Sequence, residues 1–376
     1  MSDTDFLSLA NPGVQKLTPY APGKPLEELE REYGITEAVK LASNENPLGP
    51  SPAAVAAVKK AAAELHRYPD GNSFELKAAL AKKHVLDSSQ ITLGNGSNDV
   101  LELIARTFVM PGDEVLFSAH AFAVYPIVTQ AVNGVMNIAP ATSADSEQPY
   151  GHDLDAMAAR INEKTRVIFV ANPNNPTGTW VQRDALRQFV EQVPSRVIVV
   201  VDEAYFEFVE EADYPDATEW LSEFPNLIVT RTFSKLYGIP GVRIGYGLSH
   251  PDIADLLNRV RQPFNVNSLA QAAAVAALND DDYLQKSLDN NRQGLQQIVQ
   301  ACKANGWGYI PSVGNFICVK VGEHADAVYE GLLKEGVIVR PIAGYQLPEY
   351  VRVTIGTPEE NARFIQALET VLKSLD

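Results

Sequence analysis

Cysteine is scarce in this chain: 376 residues include two, Cys302 and Cys318. They show neither metal-ligand spacing nor a disulfide framework, which excludes a cysteine-stapled scaffold and fits a reducing compartment. Positive charge is also short. With 31 Lys and Arg against 47 Asp and Glu, the net charge is −16, which argues against nucleic-acid backbones and anionic membranes as partners. A phosphorylated ligand would have to be held by a local basic pocket. No apolar run approaches the roughly 20 residues that span a bilayer. The start, Met1-Ser2-Asp3-Thr4-Asp5, lacks the basic and apolar segments of a signal peptide, so a cytoplasmic protein is expected. No internal repeat or low-complexity tract occurs.

What is present is ordinary for a soluble enzyme: 45% apolar and 21% charged residues. The length exceeds one typical domain and predicts a large domain with a smaller companion. Residues 1–50 read as a proline- and glycine-rich arm around a short helix near Leu26 to Glu32. Ser51-Pro52 then opens a helix as cap and first residue. Strands are expected at Gln90–Leu93, Glu114–Phe117, Thr165–Val170 and Arg196–Val201, with helices at Asp99–Phe108 and from His120. The C-terminal part reads as helical: 253–261, 269–278, 283–302, 324–334 and 357–375, with short strands near 315–321 and 350–355.

The chemistry concentrates at Thr230-Arg231-Thr232-Phe233-Ser234-Lys235-Leu236-Tyr237-Gly238 and the following Gly241-Val242-Arg243-Ile244-Gly245. A lysine amine attacks a carbonyl only when neutral, so a catalytic lysine needs a site that lowers its pKa below about 10.4. Ser234 and Arg243 beside it suit a phosphate. Aldehyde chemistry at a lysine next to a phosphate anchor suggests pyridoxal 5'-phosphate. The loop Gly94-Asn95-Gly96-Ser97-Asn98, opening a helix, offers backbone N–H groups to the same phosphate. Asp202 ends a buried strand, where a carboxylate is costly unless it meets a cation. Asn172-Pro173-Asn174-Asn175-Pro176-Thr177-Gly178 makes a rigid loop at another strand end, where open α/β sheets bind ligands.

The Thr-Phe-Ser-Lys and Gly-Val-Arg-Ile-Gly pattern resembles the cofactor-lysine segment of the fold type I, aspartate aminotransferase superfamily, and within it the histidinol-phosphate aminotransferases. Asn44-Glu45-Asn46-Pro47-Leu48-Gly49 and Asn172–Gly178 are similar to that family's motifs. The resemblance implies an α/β fold whose large domain holds a mostly parallel seven-stranded sheet between helices, plus a smaller α+β domain. The implied divisions are 1–50 as an arm joining the small domain, 51–265 as the cofactor-binding domain, and 266–376 as the small domain. It also implies transamination between an amine and a 2-oxo acid, with Lys235 holding the cofactor and moving protons. Asp202 would face the ring nitrogen, Asn175 and Tyr205 the ring oxygen, and Ser97, Asn98, Ser234 and Arg243 the phosphate.

Tyr68, in His66-Arg67-Tyr68-Pro69-Asp70-Gly71, would reach the partner's phosphate in a homodimer. Where the family usually has a proline and a small hydroxyl residue, this chain has His120-Ala121. That departure leaves Phe122 as the ring-stacking residue and Tyr125 as the second choice. Arg352 is implied as the anchor shared by a substrate phosphate and a carboxylate, with Tyr20, Asn46, Asn172 and Arg340 as further substrate residues. No metal is implied. An aromatic amino-acid aminotransferase and a threonine-phosphate decarboxylase-like enzyme stay open as alternatives. A regulator built on this fold would need an added DNA-binding segment and suits a net charge of −16 poorly.

Overall fold

A computed structural model describes residues 4–375. Met1 to Asp3, part of the start read as unlike a signal peptide, lie outside the described residues, as does Asp376. Among the described residues no helix is long and apolar enough to cross a membrane.

Seven strands form the main sheet, in the order Ile91–Gly94, Gly245–Ser249, Leu227–Thr232, Ile198–Asp202, Thr165–Ala171, Glu114–Ser118 and Val135–Ala139. Only Gly245–Ser249 runs against its two neighbours, so the sheet is mostly parallel. Its central strands are apolar on both faces over residues 167–171, 198–201 and 227–229 because helices cover both sides. Ile168, Val170, Val199, Val201, Leu227 and Val229 pack on one side, and Val167, Phe169, Val200 and Ile228 on the other. The edge strand Val135–Ala139 is different. Its Val135, Met136 and Ile138 are exposed, which is why it carries no clear strand signature in the sequence.

The smaller sheet is antiparallel, ordered Arg340–Pro341, Tyr350–Thr354, Phe316–Lys320, Tyr309–Ile310. Ile298, Ile317, Val319, Leu332, Val353, Phe364 and Leu368 form the core between it and helices Asp281–Asn305, Ala325–Lys334 and Pro358–Leu375. The last helix opens with a reciprocal capping box: Thr357 N donates to Glu360 Oε2 at 2.8 Å and Glu360 N to Thr357 Oγ1 at 3.3 Å. In the N-terminal arm, Val39–Lys40 pairs in parallel with Val337–Ile338, and Leu29 and Ala42 pack with Leu333 and Ile338.

The large core extends past residue 265, the expected division between domains. Helix Ser268–Leu278 buries Ala270, Ala273, Ala274 and Ala277 in the large core with Ala54, Leu76 and Leu80. Small residues let it lie close to helices Pro52–Ala61 and Phe74–His84. The crossing falls within Asp281–Asn305, whose Leu284 flanks the large core while Ile298 and Cys302 enter the small one. The helix expected from His120 begins at Val124 instead, because His120 has φ +56° and the chain turns there. Helices Phe74–His84 and Arg183–Gln192 were not read from the sequence.

Overfilling the alanine contact tests this division. Ala273→Leu should destabilise the large domain by about 1–3 kcal/mol, read as a lower urea midpoint of the tryptophan signal from buried Trp220. An unchanged midpoint would return helix Ser268–Leu278 to the small domain.

Candidate active site

A cavity of about 400 Å³ opens at the carboxyl ends of the parallel strands, between the two domains. Among its lining residues are Tyr20, Ser97, Asn98, Phe122, Asn175, Asp202, Tyr205, Ser234, Lys235, Arg243 and Arg352.

At one end, helix Ser97–Phe108 begins after Gly96, at φ +82°, with no side chain capping its N–H groups. A Cβ on Gly245 would collide with the backbone of Gly96 and Ser97, so glycine there lets the loop close over the sheet. Arg243 leans into the same corner, donating from Nη1 to Ser234 Oγ at 3.4 Å and from Nη2 to the Asn95 carbonyl at 3.4 Å. An uncapped helix N-terminus, two serines and a guanidinium make a cradle for a phosphate group.

At the cavity floor, Asp202 is buried. Its Oδ2 accepts from the Tyr125 hydroxyl and its Oδ1 from Thr230 Oγ1, both at 2.9 Å. Burial pushes this carboxyl up from the usual carboxylate range, while the two hydroxyls and the charge of Lys235 pull it back. Lys235 Nζ donates to the Ser43 carbonyl at 3.3 Å and lies 5.5 Å from the centre of the Tyr205 ring. Burial first, and the nearby Arg352 charge second, lower its ammonium to about 8. A neutral amine is therefore accessible close to neutrality.

The remaining wall joins the domains. Arg352 is nearly enclosed; it donates from Nη1 to Asn175 Oδ1 and from Nη2 to the Ala42 carbonyl, while its Nε has no partner. Because Asn175 accepts through its oxygen, its amide NH2 is the group left for a ligand. The Tyr205 hydroxyl likewise accepts from Asn44 Nδ2 at 2.8 Å, leaving its own proton to donate.

The sequence model of the family described as "Aminotransferase class I and II" matches residues 36–368. The "Histidinol-phosphate aminotransferase 1" of Nitrosococcus oceani is 56% identical over 373 residues, 99% of each chain. The "Histidinol-phosphate aminotransferase 2" of Pseudomonas aeruginosa is 58% identical over 371 residues, covering 98% of this chain and 99% of that one. The chain belongs to the class I and II aminotransferases, among the histidinol-phosphate aminotransferases. Among solved structures, histidinol-phosphate aminotransferase from Sinorhizobium meliloti in complex with pyridoxal-5'-phosphate superposes with a TM-score of 0.89 at 30% identity, covering 100% of this chain and 99% of that one. An aspartate aminotransferase from Thermus thermophilus, 20% identical with a TM-score of 0.82 over 97% and 99%, shares the fold.

Not every residue singled out from the sequence of this aminotransferase reaches the cavity. Asn172 is fully buried and spent on Val181, accepting from its N–H at 2.9 Å and donating to its carbonyl at 3.3 Å. Asn46 Nδ2 ties the Asn44–Gly49 turn to the Leu236 carbonyl at 2.8 Å and to Ser287 Oγ at 3.0 Å. Arg340 lies over the Tyr20 ring at 5.3 Å and borders a neighbouring cavity that Tyr20 also lines. Tyr68 is 82% exposed and stacks on Phe264 at 4.8 Å, away from its own cavity. Tyr125 lies behind the wall that Phe122 forms. Asn44 and Thr230 stand in motifs singled out from the sequence but were assigned no role there. For Asn44 a signal existed, since its φ of +55° suits asparagine in a turn.

The lowered lysine has a measurable consequence. Labelling of Lys235 by an amine-directed reagent in the ligand-free protein should show a pH midpoint near 8, and Arg352→Gln should move it upward by removing a repelling charge. In unfolded chain the group retains an ordinary lysine value, so this residue alone makes folding more favourable as pH rises between about 8 and 10.5. A midpoint near 10.5, unmoved by Arg352→Gln, would contradict the desolvated setting.

Proposed function

We propose that this enzyme carries out pyridoxal-phosphate-dependent transamination between L-histidinol phosphate and 2-oxoglutarate, giving imidazole acetol phosphate and L-glutamate in histidine biosynthesis. The observation that carries it is Arg352: an enclosed guanidinium with a free Nε beside a lysine of lowered pKa, in a cavity with a separate phosphate cradle. The full-length relatives bearing the histidinol-phosphate aminotransferase name support the same reading.

The residues fit the cofactor. Pyridoxal phosphate, when bound, supplies an aldehyde that condenses with amines and a ring that accepts the electron pair left by a departing Cα proton. Ser97, Asn98, Ser234 and Arg243 would hold its phosphate, and Phe122 would cover its ring. Asp202 would keep the ring nitrogen protonated, while the Asn175 amide and Tyr205 hydroxyl donate to the ring oxygen. Lys235 would hold the aldehyde carbon between turnovers. Its Nζ, neutral once free, would take the proton from the substrate carbon and hold it for return on the same face. Arg352, aided by Tyr20, would seat the phosphate of histidinol phosphate in one half-reaction and a carboxylate of 2-oxoglutarate in the other. Arg340, over Tyr20, would reinforce that cationic side.

Arg352→Ala should weaken both substrates together, by roughly ten- to a hundredfold in kcat/KM for the loss of a charge-assisted contact of about 1.5–3 kcal/mol. The spectrum of the bound cofactor should change little. Dephosphorylated histidinol should be much the poorer donor. A kcat/KM for phenylalanine equal to that for histidinol phosphate would favour an aromatic amino-acid aminotransferase instead.

We also propose that the working unit is a cytoplasmic homodimer with composite sites. Tyr68 and Phe264 stand exposed and stacked together, and Phe74 and the arm's Phe6, Leu7 and Leu9 are exposed too. A closed two-fold contact would cover such groups and carry each Tyr68 to the other subunit's phosphate cradle. The free, buried thiols of Cys302 and Cys318 suit the reducing cytoplasm. Mixing Tyr68→Phe protein with inactive Lys235→Ala protein under subunit exchange should restore activity through hybrids holding one intact composite site. Full activity in a demonstrated monomer would refute the arrangement.

A further inference from the structure

Asp202 is flanked by two hydroxyl groups to which neither the fold nor the proposed reaction assigns a task. Each of its oxygens takes one hydrogen bond, from Tyr125 and from Thr230. Both donors are wholly buried, so neither can exchange its partner for water. Protonating the carboxyl would turn one of these hydroxyls into an acceptor and leave its own hydrogen without a partner in the buried site. The pair therefore opposes the effect of burial, which favours a neutral acid.

Their geometry is braced from independent directions. Thr230 stands opposite Asp202 in the register of the neighbouring parallel strand. The Tyr125 ring stacks on Phe169 at 4.6 Å with an interplanar angle of 8° and meets Phe117 at 6.1 Å. Its edge-to-face contact with Phe122, at 5.9 Å and 90°, connects it to the cavity wall. Held on three sides, the Tyr125 hydroxyl cannot swing away without moving that wall.

We infer that Tyr125 and Thr230 are positioning residues that keep Asp202 ionised and aimed at the cofactor's ring nitrogen, with Tyr125 also coupling this charge to the ring-covering Phe122. The inference rests on the reading that pyridoxal phosphate occupies the cavity. It separates two roles that adjoining aromatic residues could share. Phe122 faces the ligand, and Tyr125, one turn further on, serves the carboxylate beneath it.

The test uses holoenzyme reconstituted with pyridoxal phosphate labelled with 15N in its ring, in wild type, Tyr125→Phe, Thr230→Val and the double variant. The ring-nitrogen chemical shift should report a protonated nitrogen in wild type and progressive loss of that proton through the series. The pH midpoint of the visible absorbance of the Lys235-bound cofactor should rise, by about one pH unit per hydroxyl removed, because a less positive ring repels the proton on the lysine nitrogen less. Thr230→Ser keeps its hydroxyl and should restore the wild-type signature. For histidinol phosphate, kcat should fall more than KM changes. If Tyr125→Phe fails to fold, the two Thr230 variants decide the matter by the same signals. An unchanged nitrogen shift and midpoint in a folded double variant would overturn the inference while leaving the cofactor reading intact. A wild-type protein that takes up no pyridoxal phosphate would overturn both.

Discussion

The pairing of strand Ile198–Asp202 with strand Leu227–Thr232 decides which way the chemistry faces. Asp202 lies opposite Thr230, so both turn to the Phe169 side of the sheet. The next residues, Glu203 and Arg231, turn to the other. There the Arg231 guanidinium donates to Glu203 Oε2 at 2.9 and 2.7 Å and to Asp216 Oδ1 at 2.7 Å, with the Phe206 ring 3.5 Å away. Slipping the register by one residue would exchange the two faces and strand every one of these charges. Breaking one partner of such an enclosed pair typically costs about 3–5 kcal/mol, against about 0–1 kcal/mol for a surface pair. The ion pair on the far face thus locks the carboxylate on the near face.

A second constraint ties the two domains through side-chain hydrogen bonds. Arg352, from the small sheet, donates to Asn175 in the large domain and to the Ala42 carbonyl in the arm. Asn44 is held by Thr354 Oγ1 at 2.9 Å through its N–H and by Asn315 through its carbonyl, and from there reaches Tyr205. The proposed ring-oxygen donors are therefore oriented by small-domain and arm residues, whereas the phosphate cradle belongs to the large domain alone. Any shift between domains would draw Arg352 and Asn44 away from Asn175 and Tyr205, loosening the proposed ring-oxygen donors and moving the proposed substrate anchor while leaving the cradle in place.

This division also explains what could be read from sequence. Asp202 ends a buried strand, and Lys235 and Asn175 come within four residues of the end of one, so strand, turn and reactive group are continuous in the chain. Ser97 is legible for the same reason, because its glycine loop both ends a strand and starts a helix. Contacts between segments distant in sequence leave no such trace. Nothing local shows that Asn172 would spend its amide on Val181 while Asn175, three residues later, faces the cavity. Nor does composition separate Phe122 from Tyr125, since both are aromatic at the start of one helix and only packing against Phe169 sends the second behind the wall. The domain boundary was obscured similarly: helix Ser268–Leu278 is rich in alanine, and alanine fits either core until its neighbours are known.

Charge placement remains to be reconciled with composition. A net charge of −16 repels anions at long range, yet the proposed ligands carry phosphates and carboxylates. Screening resolves the conflict, since at physiological ionic strength exposed charges farther away than about 8 Å count for little. Inside the cavity, Arg243, Arg352 and Lys235 converge with a helix N-terminus, where low dielectric strengthens each contact. Lys235 is the least able of the three to keep its proton there, because burial and Arg352 both act against its charge. The arrangement that attracts an anionic ligand is thus also the one that frees the amine to react with it.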